Sequence, residues 1–205
     1  MDTITLVPST SEMDDQVWTQ GVCRNPSMLK ASLDNFEDGN SRELQARLNM
    51  AKAFVSGGGR QQLFFFGPPG RGKTHLAVGI MREWIAGGGA AVYWPLMQLI
   101  GKLKDLMTPG KMETPQQRIE WLCNFRGLLI VDELGRSKGD TWDRDEVVYS
   151  LLDRRLALPT IWISNYGFDE LAKIYDEAIA SRLKSCLVVS WPGNIIPDHR
   201  ERRTP

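Results

Sequence analysis

The segment Gly67-Pro68-Pro69-Gly70-Arg71-Gly72-Lys73-Thr74 satisfies the pattern GxxxxGK[ST] at every fixed position. Such a loop wraps backbone N–H groups around one point, and the helix that follows adds the partial positive charge of its N-terminus. The result is a cradle for phosphates, here running from Gly67 to His75. Lys73 can reach the β- and γ-phosphates of ATP, and Thr74 can place its hydroxyl on Mg²⁺. Asp132 and Glu133 directly follow the apolar run Leu128-Leu129-Ile130-Val131. At the end of a parallel strand, Asp132 would hold Mg²⁺ through its water shell, and Glu133 would orient and polarise the attacking water. That chemistry is ATP hydrolysis. Asn165 closes the run Thr160-Ile161-Trp162-Ile163-Ser164. Its amide either meets the γ-phosphate or the lytic water, or simply forms a turn. Arg182 is either a solvated helix arginine or an arginine finger reaching a neighbouring subunit's γ-phosphate. Arg154 and Arg155 are weaker interface candidates.

These residues need elements to carry them. Leu63-Phe64-Phe65-Phe66 is short and wholly apolar, as suits a strand buried on both faces of a parallel sheet. A helix from about Lys73 follows, with Leu76, Ile80 and Trp84 inward, and Gly87-Gly88-Gly89 ends it. Further strands are predicted at Ala91–Trp94, Leu128–Val131, Thr160–Ser164 and Leu187–Val189. Between them come a helix carrying Leu96, Leu99, Ile100, Leu103 and Met107, and another starting at Thr114-Pro115. A long helix follows from Trp142 to Leu156, then short ones at 168–175 and 176–184. Ahead of the first strand, Leu44, Leu48, Ala51 and Val55 share one helical face, with Asn40 and Glu43 as a capping pair. Alternating strands and helices imply a parallel sheet covered on both sides. Residues 1–30 read as a flexible arm, 31–198 as the ATPase domain and 199–205 as a basic tail.

Composition narrows the partners. Lys and Arg number 25 and Asp and Glu number 25, so a neutral chain must meet nucleic acid through a local patch. No apolar run reaches the ~18 residues of a membrane helix. Met1-Asp2-Thr3 opens nothing like a signal peptide, and Cys23, Cys123 and Cys186 fit reduced thiols in a cytoplasmic protein. Of the seven tryptophans, Trp84, Trp94 and Trp162 read as packing, while Trp142 and Trp191 could be exposed and have no assigned role. Phe36 packs either on adenine or into the core.

Six segments resemble the DnaC/DnaI/IstB group of AAA+ ATPases, bacterial and phage helicase loaders and their transposition relatives. They are Leu33-Asp34-Asn35-Phe36, Phe66–Gly70 with Gly72–Ala77, Leu129–Gly135, Leu152-Asp153-Arg154-Arg155, Pro159-Thr160-Ile161 with Ser164-Asn165, and Ser181-Arg182-Leu183. Asp198-His199-Arg200 is similar to that group's closing motif. The resemblance implies a P-loop NTPase of the AAA+ (ASCE) type: a three-layer α/β sandwich with a five-stranded parallel sheet and no C-terminal lid. It implies Asp132 and Glu133 as the Walker B pair, Asn165 as sensor 1 and Arg182 as the trans-acting arginine. It also implies that the stretch 96–123 helps to touch single-stranded DNA, with Lys102, Lys104 and Lys111 as phosphate contacts.

The group's loaders carry an N-terminal helicase-binding domain, where this chain has about 30 irregular residues. Three functions are therefore expected as alternatives. The first is a loader for a replicative helicase on single-stranded DNA, forming a homo-oligomer when ATP-bound. The second is an IstB-like helper of a transposase. The third is a slow nucleotide-dependent scaffold.

Overall fold

The computed structural model describes residues 28–36, 41–136 and 140–191. The expected arm, basic tail and Asp198-His199-Arg200 motif lie mostly or wholly outside these residues. A 3₁₀ turn at Met28–Lys30 precedes α1 (Arg42–Ser56), β1 (Gln62–Phe66), α2 (Lys73–Ala86) and β2 (Ala91–Pro95). Next come α3 (Leu96–Asp105), α4 (Pro115–Asn124) and β3 (Leu128–Leu134). A π-helix (Asp143–Tyr149) then runs into α5 (Ser150–Arg154), followed by β4 (Thr160–Ser164), α6 (Phe168–Ile174), α7 (Glu177–Lys184) and β5 (Leu187–Ser190).

The five strands form one sheet in the order β2-β3-β4-β1-β5, and every pairing is parallel. Alternation along each strand feeds two cores. Leu63, Phe65, Leu128, Ile130, Ile161 and Ile163 face α1 and α2. Phe64, Leu129, Val131 and Trp162 face the side of α3 to α7. Burial on both faces explains why β1, β3 and β4 read as unbroken apolar runs. This is the three-layer P-loop sandwich expected, and among the described residues no lid domain follows β5.

Local signals set most boundaries. Gly87 caps α2, and Thr114 opens α4 with a capping box and Pro115 at the first turn. Four expectations shift. At α1 the cap is Ser41, and Asn40 lies outside the described residues. β3 runs three residues past Val131, through a bulge, because Leu134 pairs again with Ser164 and accepts a 2.6 Å bond from its hydroxyl. Asp132 and Glu133 therefore sit inside the strand's last turn of pleat. The long helix expected over 142–156 is π-wound at Asp143–Tyr149, although Val147, Val148, Leu151 and Leu152 are all buried as the pattern required. Trp191 is fully buried rather than exposed. Its backbone N–H donates to Phe66 O at 2.7 Å and its ring lies 5.0 Å from that of Phe65, so the chain leaving β5 folds back over β1. No helix among the described residues is long and apolar enough to cross a membrane.

Candidate nucleotide-binding site

The strand order puts β1, β4 and β3 side by side, so the residues leaving their carboxyl ends converge. The loop after β1 turns on three glycines in left-handed backbone, Gly67 (φ 137°), Gly70 (φ 74°) and Gly72 (φ 91°). The first bond of α2 runs from Leu76 N–H to Gly72 O, at 2.9 Å. The amides of Lys73, Thr74 and His75 therefore stand outside the helical ladder, as an anion cradle requires. Gly67 is constrained twice. Its φ suits glycine, and a Cβ there would lie 2.3 Å from Trp191 O. Gly67→Ala should lower stability by roughly 2 kcal/mol or more, from backbone strain plus the displaced Trp191 carbonyl. A urea midpoint equal to wild type would contradict that contact.

Lys73 is 5% exposed. Its ammonium donates to Gly67 O (2.5 Å), Pro68 O (2.7 Å) and Asn165 Oδ1 (2.9 Å). The amide at the end of β4 thus touches the lysine of the loop, 92 residues away in sequence. Thr74 donates its hydroxyl hydrogen to Asp132 Oδ2 at 2.9 Å. Asp132 also accepts from Tyr93 OH at 2.6 Å and, on Oδ1, from the Glu133 amide at 2.7 Å. Burial pushes the Asp132 carboxyl above its ordinary value, and the three donors pull the other way. Burial, then the nearby Asp132 charge, pushes the Tyr93 phenol far up, which leaves it a donor. The set fits the expected ligand. A hydroxyl and a carboxylate supply hard oxygen ligands for Mg²⁺, and the loop amides with Lys73 suit a triphosphate.

Glu133 stands in left-handed backbone (φ 61°), rare for a residue with a side chain, at the β3 bulge. Its carboxylate pairs with Arg136 at 2.5 Å. His75, assigned to the cradle from sequence, directs its ring elsewhere. Its Nε2 lies 3.1 Å from Ser32 O and 2.9 Å from Asn35 Oδ1, and Phe36 meets the ring edge-on. Phe36 is buried among core residues, and its edge lies 3.1 Å from where a Gly72 Cβ would stand. Of its two readings, core packing is the one its burial matches.

The remaining candidates lie apart from this group. Arg182 donates to Asp153 at 3.0 Å and to the Tyr149 hydroxyl, and its guanidinium lies 4.0 Å from the Tyr149 ring centre. Arg154 makes two 2.6 Å bonds to Glu120. Arg155 is fully buried and serves the interior, which removes it as an interface residue. Lys104 is held by Asp140 (3.0 Å) and Asp143 (2.8 Å), whereas Lys102 and Lys111 are exposed. Tyr93 and Arg136 escaped the sequence reading. Tyr93 becomes visible once the β2–β3 register sets Pro95 opposite Asp132, and Arg136 once the bulge folds it back on Glu133.

Several known proteins are similar to this chain. The replicative helicase loader DnaC of Escherichia coli (strain K12) is 26% identical over 164 residues, 78% of this chain and 65% of that protein. The insertion sequence IS5376 putative ATP-binding protein of Geobacillus stearothermophilus is 31% identical over 121 residues, 58% of this chain and 46% of that protein. The chain thus spans less than two thirds of the length of either relative. The crystal structure of DnaI is similar with a TM-score of 0.66 and 25% identity, over 86% of this chain and 94% of that one. Residues 27–190, well over half of the sequence, match the family described as IstB-like ATP binding protein, and to that family of AAA+ type the chain belongs.

Proposed function

We propose that this chain hydrolyses ATP and uses the cycle to load a replicative helicase on single-stranded DNA. The observation that carries the ATPase reading is the convergence of Lys73, Asn165, Thr74 and Asp132 at adjacent strand ends. In this reading the loop amides bind the phosphates, and Lys73 exchanges its carbonyl partners for phosphate oxygens. Thr74 and Asp132 would hold Mg²⁺, which when bound neutralises charge on the β- and γ-phosphates. Glu133 orients the attacking water, and Asn165 fixes the far side of the γ-phosphate. The ATPase unit is taken as residues 31–198, with the arm 1–30 available to grip a helicase and 199–205 as a basic tail. Arg182 would act across a homo-oligomer interface after leaving Asp153.

The loader role draws support from DnaC, whose likeness extends over 78% of the chain. A second reading, ATPase helper of a transposase, draws support from the higher identity of the insertion-sequence relative. Lys102 and Lys111 remain the better DNA contacts, since Lys104 already has two acidic partners.

Glu133→Gln should bind ATP as wild type does and turn it over at least about 100-fold more slowly, because positioning and charge supply most of this chemistry. Turnover of the wild type is then measured with single-stranded DNA, with duplex and with neither. Stimulation by single strands favours the loader, and stimulation by duplex favours the transposase helper. Negligible turnover in all three defeats the enzyme reading. DNA binding of either kind should weaken steeply with salt.

A further inference from the structure

Tyr93 does nothing for the sheet that phenylalanine would not do, except through its hydroxyl. That hydroxyl is buried, on a side chain 7% exposed, and it is spent on Asp132. β2 and β3 are parallel neighbours with Tyr93 opposite Ile130 and Pro95 opposite Asp132. Tyr93 and Asp132 therefore share the face toward α2, offset by two residues, about 7 Å along the strand. A tyrosine spans that offset, and its phenol meets Oδ2 at 2.6 Å.

We propose that Tyr93 is a positioning residue for the metal-bound nucleotide, acting through Asp132 on the Thr74 hydroxyl. The proposal rests on the MgATP reading of the site given above. A hydroxyl has one hydrogen and two lone pairs. Thr74 spends its hydrogen on Asp132 Oδ2, which leaves its lone pairs for a hard cation. That orientation holds only while Oδ2 stays where it is. The Glu133 amide grips Oδ1 and Tyr93 grips Oδ2, so the carboxylate is held from both sides against rotation. Without the phenol, Oδ2 keeps Thr74 alone, and the pair can turn together away from the metal position. Binding of metal-free ATP runs through the loop amides and Lys73, whereas the Tyr93 hydroxyl bonds Asp132. The effect of losing the phenol is therefore specific to magnesium.

The test is calorimetric titration of the full chain with ATP, once in Mg²⁺ and once in EDTA. In Tyr93→Phe, the gain in affinity that magnesium confers should fall about tenfold or more, the lower end for one hydrogen bond to a charged group. The affinity for metal-free ATP should stay within about twofold, since its contacts are untouched. In an Asp132→Ala background, Tyr93→Phe should have no further effect on the magnesium gain, because the acceptor through which it acts is gone. An unchanged magnesium gain in Tyr93→Phe overturns the proposal. So does an equal loss in both titrations, which is what a purely structural role would give. If Tyr93→Phe does not fold, Tyr93→His is titrated instead. A deficit confined to magnesium then supports the proposal, and an equal deficit overturns it. Wild type that ignores ATP in both solutions refutes the nucleotide site itself, a distinct result.

Discussion

Lys73→Ala loses ATP binding by about 100-fold or more and keeps its fold. The ammonium is nearly sealed from water and sits between two carbonyls of its own loop and the amide of Asn165. When phosphate oxygens arrive, the charge needs no new desolvation and exchanges neutral partners for anionic ones. Charge-assisted bonds are worth about 1.5–3 kcal/mol each, so losing two of them costs 3 kcal/mol or more, about 100-fold in affinity. The stability cost is small by comparison. Pro68 and Asn165 are exposed residues, so water can take over the acceptors that lysine leaves. We expect a loss of about 1 kcal/mol or less in unfolding free energy. Calorimetry with MgATP and thermal unfolding by circular dichroism measure the two halves separately. Retained binding within threefold of wild type would remove Lys73 from the phosphate site.

The phosphate loop was legible because its chemistry is local. Glycine spacing, lysine and threonine lie within eight consecutive residues, and the strand and helix around them have distinct periods. Strands β1, β3 and β4 were legible for a related reason, since burial on both faces leaves a continuous apolar signature. What failed to show was set by distant pairings. The extension of β3 to Leu134 depends on Ser164, 30 residues further on, and the left-handed Glu133 follows from the bulge that this pairing forces. Trp191 had no packing partner legible nearby in the sequence, and its burial arises from contact with Phe65 and Gly67, over 120 residues earlier. His75 carried a motif signal yet serves the Ser32–Phe36 turn, because a helix's first turn points its side chains to several sides at once. The π-wound stretch kept the apolar residues a plain α-helix would have buried, so periodicity could not separate the two.

Arg155 is where the sequence reading erred most and where one substitution should cost most in stability. It sat beside Arg154 as an interface candidate, but α5 ends there and turns it inward. The side chain is fully buried and pairs with no carboxylate among the described residues. Its guanidinium instead donates to Leu122 O (2.5 Å), Phe125 O (2.7 Å), Gly127 O (3.1 Å), Pro159 O (3.0 Å) and Thr160 Oγ1 (2.9 Å). Those acceptors belong to the end of α4, the turn into β3 and the turn into β4, so one cation staples the entry points of two neighbouring strands. Burial lowers its pKa to about 10, which still leaves it charged at neutral pH. Arg155→Ala takes the guanidinium from five acceptors, of which Pro159 O keeps the Leu129 N–H, and each acceptor left dry costs about 1–3 kcal/mol. Water entering the cavity recovers part of this, so the net loss should be about 3–5 kcal/mol, the upper range for a single substitution that breaks a buried hydrogen-bond network. That is a large share of a typical stability of about 5–15 kcal/mol. Arg155→Lys should recover less than half, since an ammonium has three donors on one atom and cannot span the fork. Arg154→Ala, which breaks an exposed pair with Glu120, should change stability by no more than about 1 kcal/mol. Urea unfolding of the three variants ranks them. If Arg155→Ala unfolds within 1 kcal/mol of wild type, the interior network does not hold these strand entries together.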